Sequence, residues 1–493
     1  MSILKLNMVE LSKELVAKKV SASEVVNEYI KVSEKSDELN IYITKTFETA
    51  KTQALQADKR WVNGNQKSNF DGIPIGIKDI FLTLNERTTN GSKFLDNFIA
   101  PLESTVTQNL KNAGFVSLGK LNMDEFAMGS ANITSAYGAV ISPWSSETNP
   151  NLVPGGSSGG SAAAVSSYAV LAATGTDTGG SIRQPASFTG IVGLKPTYGT
   201  CSRYGIIAFA SSLDQAGPMT RTVADNAAML QVMSGYDAKD SSMVKRDVIN
   251  YSEKIGKSIK GLKIGLPKEY TSDKMPKIIT TYWQKVAEIL KSEGAEVIEV
   301  SLPHTKYALP IYYITATFEA ASNLSRFDGI RYGMRADGET LEDVYINSRT
   351  QGWGEEVKRR ILVGNYNLLT ENFKNVEQAA KVRRLLSEDF INAFKSVDIL
   401  LTPTATSEPF SIENSPTDPI EMYLNDIFTV TANLAGVPAM SLPVGLGDKG
   451  LPIGMQLIGK HFDEATIYQV ASVIEKAVNF NAVSNFVVKN KLV

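Results

Sequence analysis

This chain is poor in the residues on which much enzyme chemistry depends. Among 493 residues there are one cysteine and two histidines. A single cysteine, Cys201, cannot close an intramolecular disulfide, which excludes a disulfide-stapled scaffold. Zinc sites of the usual histidine and cysteine sets cannot be assembled, so no metal is expected. His304 and His461 stand far apart, and neither lies near a promising nucleophile. A hydrolytic base in this chain is therefore expected to be some other group. Charge of one sign is missing too, because 50 Lys+Arg against 52 Asp+Glu leave a formal net charge of −2. No global basic field exists to hold nucleic acid non-specifically. No apolar run is long enough to span a bilayer, and MSILKLNMVELSKEL carries Glu10 and Glu14 where a targeting peptide would lack acids. A soluble cytoplasmic protein is the expectation.

What is present is an ordinary globular composition, 43% hydrophobic and 21% charged. Ser21 and Glu24 match a helix capping box ahead of an apolar stripe at Val25, Val26, Tyr29 and Ile30. A strand is expected at 38–44, helices at 45–60 and 105–113, and a buried strand at 115–119. Residues 154–200 are rich in Gly, Ser and Thr, yet interleave Ala and Val runs that no flexible linker would carry. They read as loop, Ala-rich helix (159–166), strand (169–174), loop and strand (191–194). Further on, helices are expected at 222–235, 276–293, 366–393 and 464–476. Strands are expected at 262–266, 295–300, 397–402, 439–443 and 453–458. This alternation predicts an α/β fold around a mixed, mostly parallel sheet, with the charged stretch 237–261 as a surface loop that divides the chain into lobes.

Two glycine-rich loops carry the chemistry: Gly155-Gly156-Ser157-Ser158-Gly159-Gly160 and Gly175-Thr176-Asp177-Thr178-Gly179-Gly180-Ser181. Glycines let successive backbone N–H groups converge on one point, making a nest for an anion. The anion is either a bound phosphate or the transient oxyanion of acyl transfer. The phosphate reading is weakened because neither loop has P-loop or G-x-G-x-x-G spacing. Tight packing with no ligand at all is the bland alternative. Weight shifts with Lys78, flanked by Ile77 and Ile80 in the turn-rich run GIPIGIKDI. A lysine in such a run is expected to be buried unless it lies on an exposed sheet edge. Burial disfavours the ammonium, and a neutral lysine can serve as the general base that histidine cannot.

GGSSGGSAAA followed by GTDTGGSIRQPASFTGIVGLKPTYG, with GIPIGIKD ahead of them, resembles the amidase-signature family. Its two serines lie 24 positions apart, Ser157 to Ser181, as the family's do. The resemblance implies that family's fold, a central twisted sheet with helices on both faces. It implies one amidase domain over 1–493, with a helical segment about 1–60, a signature core about 70–220 and a completing part about 262–493. Ser181 then matches the nucleophile, Ser157 the bridging serine on a cis peptide, and Lys78 the base. Backbone N–H groups of Thr178, Gly179, Gly180 and Ser181 match the oxyanion hole, and Asp177 and Arg183 a supporting ion pair.

Four further stretches, KLNMDEFAMGS (120–130), SNLSRFDGIRYG (322–333), EEVKRR (355–360) and YLNDIFTVTANLA (423–435), are similar to one branch of that family. The branch hydrolyses free glutamine for tRNA-dependent amidation. It implies a glutamine pocket at Gly129, Ser130, Tyr312, Arg360 and Asp426, with Arg360 on the α-carboxylate and Asp426 on the α-ammonium. Arg359 is the adjacent candidate. Against these stand plainer roles: Asp426 as a helix cap, Arg360 as a solvated member of its run, Tyr312 as core. The branch also implies partner subunits B and C in a heterotrimer, with Glu-tRNA(Gln), ATP and Mg held by the partner and no cofactor here. A free-standing amidase for another small amide, or a silent scaffold, are the competing readings. Cys201 is expected to be a packing residue.

Overall fold

The computed structural model describes residues 2–247, 249–271, 275–416 and 418–493. Eleven strands are defined: β1 Tyr42–Lys45, β2 Pro74–Lys78, β3 Val116–Leu121, β4 Ala172–Thr176, β5 Val192–Lys195, β6 Ala216–Thr220, β7 Lys263–Pro267, β8 Glu296–Val300, β9 Ile399–Pro403, β10 Ala439–Leu446 and β11 Pro452–Gly459. They form one sheet in the order β1-β3-β2-β4-β6-β5-β10-β11-β9-β7-β8. The expected mixed α/β sheet is present. Parallel pairing is gathered in two blocks, β3–β2–β4 and β9–β7–β8. The strands between them run antiparallel, as does β1 at one edge.

Both sheet faces are covered. On β11 a side chain at Gly454 would point at Ser187 in the helix Arg183–Thr189, and one at Gly459 at Ile467 in the helix Glu464–Val478. Positions an odd number apart on a strand face opposite ways, so these helices lie on opposite sides. The charged stretch 237–261 does not divide the sheet into lobes, since β5 before it pairs with β10 after it. Among the described residues, no helix is long and apolar enough to cross a membrane.

Where the signal is local, the elements form as the sequence predicts. Ser21 and Glu24 form the expected capping box on Ala22–Lys35. The Ala-rich helix spans Gly159–Ser166 and is buried throughout. Three differences have physical causes. The strand expected at 169–174 lies at Ala172–Thr176, because Tyr168 turns at φ +64° before it and its partner β6 starts at Ala216. β6 itself was not expected, its AGPMT carrying the Gly and Pro that usually disqualify a strand. The helix expected at 366–393 is two, Glu355–Leu368 and Phe373–Ala393. Asn372 Nδ2 donates to the Tyr366 carbonyl at 3.1 Å, satisfying an acceptor that the break leaves open. The helices Ala308–Asn323 and Leu341–Gly352 were also not anticipated.

Candidate active site

Lys78 ends β2, an interior strand between β3 and β4, so it is not an edge lysine. Thr176 ends β4, which runs parallel to β2, and the two side chains meet where the strands stop. Lys78 is fully buried, and its Nζ lies 2.8 Å from the hydroxyls of Ser157, Ser158 and Thr176. Burial brings its pKa from 10.5 down to about 7, against the charges of Asp124, Asp177 and Asp214. A neutral amine has two N–H groups and one lone pair. Ser158 directs its own O–H to the Thr176 carbonyl at 3.2 Å and therefore accepts from Lys78. Ser157, whose oxygen bonds Lys78 alone among the described residues, is free to donate to the lone pair. It follows a cis peptide bond after Gly156.

Ser181 lies across from this group, its carbonyl accepting from the Ser158 N–H at 3.2 Å. It is 8% exposed whereas Ser157 is 0% exposed, so Ser181 is the serine that a ligand can reach. Its hydroxyl has no hydrogen-bond partner among the described residues. Backbone amides on either side of this stretch are engaged: Asp177 N–H donates to Gln215 O, Ile182 and Arg183 N–H to Asp177 Oδ2, and Gln184 N–H to Gly180 O. The four N–H groups between, those of Thr178, Gly179, Gly180 and Ser181, have no acceptor among the described residues. An unpaired run of donors beside a hydroxyl is a ready cradle for a developing negative charge.

The loop is held from below. Arg183 and Asp177 are both fully buried and pair in a two-pronged contact, Nε to Oδ2 at 3.0 Å and Nη2 to Oδ1 at 2.9 Å. The other guanidinium bonds go to Thr429 O, Gln456 Oε1 and Asn433 Oδ1. Burial raises the Asp177 pKa, but Arg183 outweighs it and brings the group to about 2. Thr429 Oγ1 donates to Gly179 O at 2.6 Å, and Asp214 accepts from Thr178 Oγ1 at 2.7 Å. Tyr312 roofs the cradle, for a Cβ on Gly179 would sit 2.6 Å from its phenol. Glycine is required there by that close approach.

The expected pocket residues fall into two groups. Gly129, Ser130 and Arg360 line a cavity of about 250 Å³ together with Asp124, Glu356, Arg359 and Tyr423. Tyr312 and Asp426 are not in its lining but stand nearer the loop, Asp426 receiving the Thr429 N–H on its carbonyl at 3.0 Å. Arg360 is no solvated member of its run: its side chain is 6% exposed, against 47% for Arg359. It is clasped by Glu356 at 2.7 Å and by the rings of Phe209, Tyr313 and Tyr423. Asp426 does not cap the following helix, whose N-cap is Thr429. Its buried carboxylate has no hydrogen-bond partner among the described residues, and burial pushes it up to about 8 with Arg360 opposing.

Three contributors were not anticipated from the sequence. Ser158 and Thr176 complete the shell of Lys78, and both stand in the glycine-rich loops. Asp124 stands in the run 120–130. Its N–H donates to Ser157 O at 3.2 Å while its carboxylate takes the N–H groups of Asn132 and Thr134. The lone cysteine and the two histidines stay apart from the site. Cys201 is buried with its thiol pushed up to about 12 by that burial, His304 pairs with Asp389, and His461 bonds the Ala435 carbonyl.

A buried amine whose pKa is brought down to about 7, a hydroxyl bonded to it, a second hydroxyl that a ligand can reach and a row of amide donors without acceptors among the described residues are the parts that acyl transfer from an amide needs. The Amidase family model matches residues 24–468. The A subunit of the glutamyl-tRNA(Gln) amidotransferase of Gluconobacter oxydans is 54% identical over 470 residues, 95% of each chain. That of Pelagibacter ubique is 52% identical over 493 residues, 99% of each. The crystal structure of the A subunit of glutamyl-tRNA(Gln) amidotransferase from Thermotoga maritima superposes with a TM-score of 0.79 at 36% identity, covering 99% of this chain and 98% of that one. The chain belongs to the amidase family, among the glutamyl-tRNA(Gln) amidotransferase A subunits.

Proposed function

We propose that this chain hydrolyses glutamine as the A subunit of a cytoplasmic glutamyl-tRNA(Gln) amidotransferase. It passes the ammonia to partner subunits B and C of a heterotrimer, where ATP and Mg serve the amidation of Glu-tRNA(Gln). The observation that carries the hydrolytic half is the run of four N–H groups, ending at Ser181, that have no acceptor among the described residues. The names of relatives matched over nearly their whole length support the choice of amide.

In this reading Lys78 accepts the proton of Ser157 as Ser157 accepts that of Ser181, and Ser181 Oγ attacks the glutamine side-chain carbonyl. The oxyanion forms against the amides of Thr178 to Ser181, a contact whose loss typically costs about 10²–10³ in rate per donor. The proton returns through Ser157 to the departing nitrogen, ammonia leaves, and a γ-glutamyl ester remains on Ser181 until water repeats the sequence. Asp177 and Arg183 keep the cradle rigid. Arg360 takes the α-carboxylate, and Asp426 recovers its charge against the α-ammonium. Gly129 and Ser130 complete the pocket, and Tyr312 closes it over Gly179.

The test is ammonia release from glutamine and from a panel of simple amides lacking the amino-acid head, by the full-length protein with its co-purifying partners. Glutamine should be the best substrate, and faster turnover of a headless amide would leave a free-standing amidase instead. The pH profile adds a second expectation. Lys78 is the working base only when neutral, so kcat should fall below about pH 7, roughly tenfold per pH unit. In free protein Asp426 must also ionise, near 8, so kcat/KM should fall more steeply than kcat as pH drops. Equal slopes for the two would remove Asp426 from the binding step.

A further inference from the structure

The segment joining β3 to the pocket has an uncommon backbone. Phe126 and Ala127, neither of them glycine, take φ values of +50° and +60° in succession. Left-handed backbone at such residues is strained, so the surroundings must impose it. Those surroundings are specific. The Phe126 N–H donates to Asn90 O at 2.9 Å, and its ring packs edge-on against Phe327 and Trp353, centroids 5.0 and 4.8 Å away. The turn thereby aims Glu125 inward, where it is 2% exposed. Burial pushes its carboxyl up to about 7, against its bonds from Ser92 and Gly354 and the charges of Lys358 and Lys93.

The Glu125 carboxylate receives the Ser92 hydroxyl on one oxygen and the Gly354 N–H on the other, the latter at 2.8 Å. Gly354 is the N-cap of the helix Glu355–Leu368 and has no side chain with which to cap it. Glu125 serves that helix end from 229 positions away in the chain. The fit is close: a Cβ on Gly354 would stand 2.4 Å from Glu125 Oε2. The capped helix carries Arg360, and the segment that holds Glu125 also carries Asp124, bonded to the Ser157 carbonyl. One turn of backbone thus touches both the bridging-serine loop and the helix that presents the guanidinium.

We propose that Glu125 is a positioning residue that fixes the helix Glu355–Leu368, and with it the Arg360 guanidinium, relative to the Ser157 loop. The inference rests on the glutamine reading above. Its consequence falls on recognition of the amino-acid head rather than on bond cleavage. An arginine displaced by a fraction of an ångström loses its grip on a carboxylate, whereas Lys78, Ser157 and the amide cradle are held by other contacts.

The experiment is steady-state ammonia release from glutamine by the full-length protein with its co-purifying partners. Glu125→Ala should raise KM about tenfold with kcat within about twofold, the signature of lost binding rather than lost chemistry. Glu125→Gln keeps an acceptor for the Gly354 N–H and should restore KM to within about threefold of the parent. Gly354→Ala, which drives the carboxylate away, should raise KM as Glu125→Ala does, and the double variant should be no worse than either. Independent, additive losses overturn the proposal, as does an unchanged KM in Glu125→Ala. Should Glu125→Ala not accumulate as folded protein, Gly354→Ala decides alone, and an unchanged KM there overturns it. Parent protein that releases no ammonia from glutamine removes the glutamine reading instead, so the two failures are told apart.

Discussion

Replacing Ser181 with alanine is expected to lower ammonia release from glutamine by at least about 10⁴-fold while glutamine still binds. The hydroxyl is the only part of the site that this substitution removes. The four amide donors, the Asp177–Arg183 pair and the pocket remain, so binding measured by calorimetry should stay within a few fold. No neighbour can take over. Ser157 is fully buried, and the Cys201 thiol is buried and stays protonated at neutral pH with its pKa near 12. Mass spectrometry of the parent protein, quenched during turnover, should find the γ-glutamyl adduct on the peptide holding Ser181 and find none in the variant. Residual activity above about one part in a hundred, or an adduct on another peptide, would falsify the assignment of the nucleophile.

The second large effect is expected from Lys78→Met, which removes the base and keeps an unbranched side chain in a packed position. Loss of a general base typically costs about 10²–10⁴ in rate. The same change should leave folding stability at pH 7 no lower than in the parent. Lys78 has a folded pKa of about 7 against an ordinary value of 10.5, so between those values the unfolded chain binds more protons than the folded one. In that window stability rises with pH, and at pH 7 the group opposes folding by roughly 4 kcal/mol. Methionine does not carry that opposition, although it leaves the hydroxyls of Ser157, Ser158 and Thr176 short of a partner. Urea unfolding checks both statements. Between pH 7 and 9 the parent should gain on the variant by about 2 kcal/mol in all. A difference that does not change with pH would mean that Lys78 is charged in the folded protein and cannot be the base.

The two expectations make opposite demands on one buried amine. A lysine ammonium would be happier in water, yet β2 delivers it into the interior at the end of the strand. The site retains the unfavourable group because three hydroxyls gather round it and three carboxylates act from a distance. Stability is given up where reactivity is needed.

Some of this was legible without coordinates. The scarcity of histidine and cysteine leaves lysine as the candidate base, and the isoleucines around Lys78 announce its burial. The Ala-rich helix after the first loop was bounded correctly at Gly159–Ser166 because its signals, glycines before and small apolar residues within, are local. The strand after it was misplaced by a few residues and β6 was missed, since their positions depend on pairing with each other across the sheet.

The pocket was legible only as residue types. That Arg360 is enclosed and Arg359 exposed follows from which side of one helix turns toward Tyr313, Tyr423 and Phe209, and those rings come from three separate parts of the chain. Nor does any motif connect Glu125 to Gly354, or Tyr312 to Gly179, because each contact joins segments more than a hundred positions apart.

By itself the amino-acid order determined the chemical vocabulary: which nucleophile, which base and which loops could exist here, since composition and local spacing limit them directly. Only the tertiary structure decided who meets whom. The parallel pairing of β2 with β4 brings Lys78 to Thr176, and the loop ahead of the helix Gly159–Ser166 supplies Ser157 and Ser158. Four amides are left there without acceptors among the described residues, because β4 has ended and the backbone has no ladder to join.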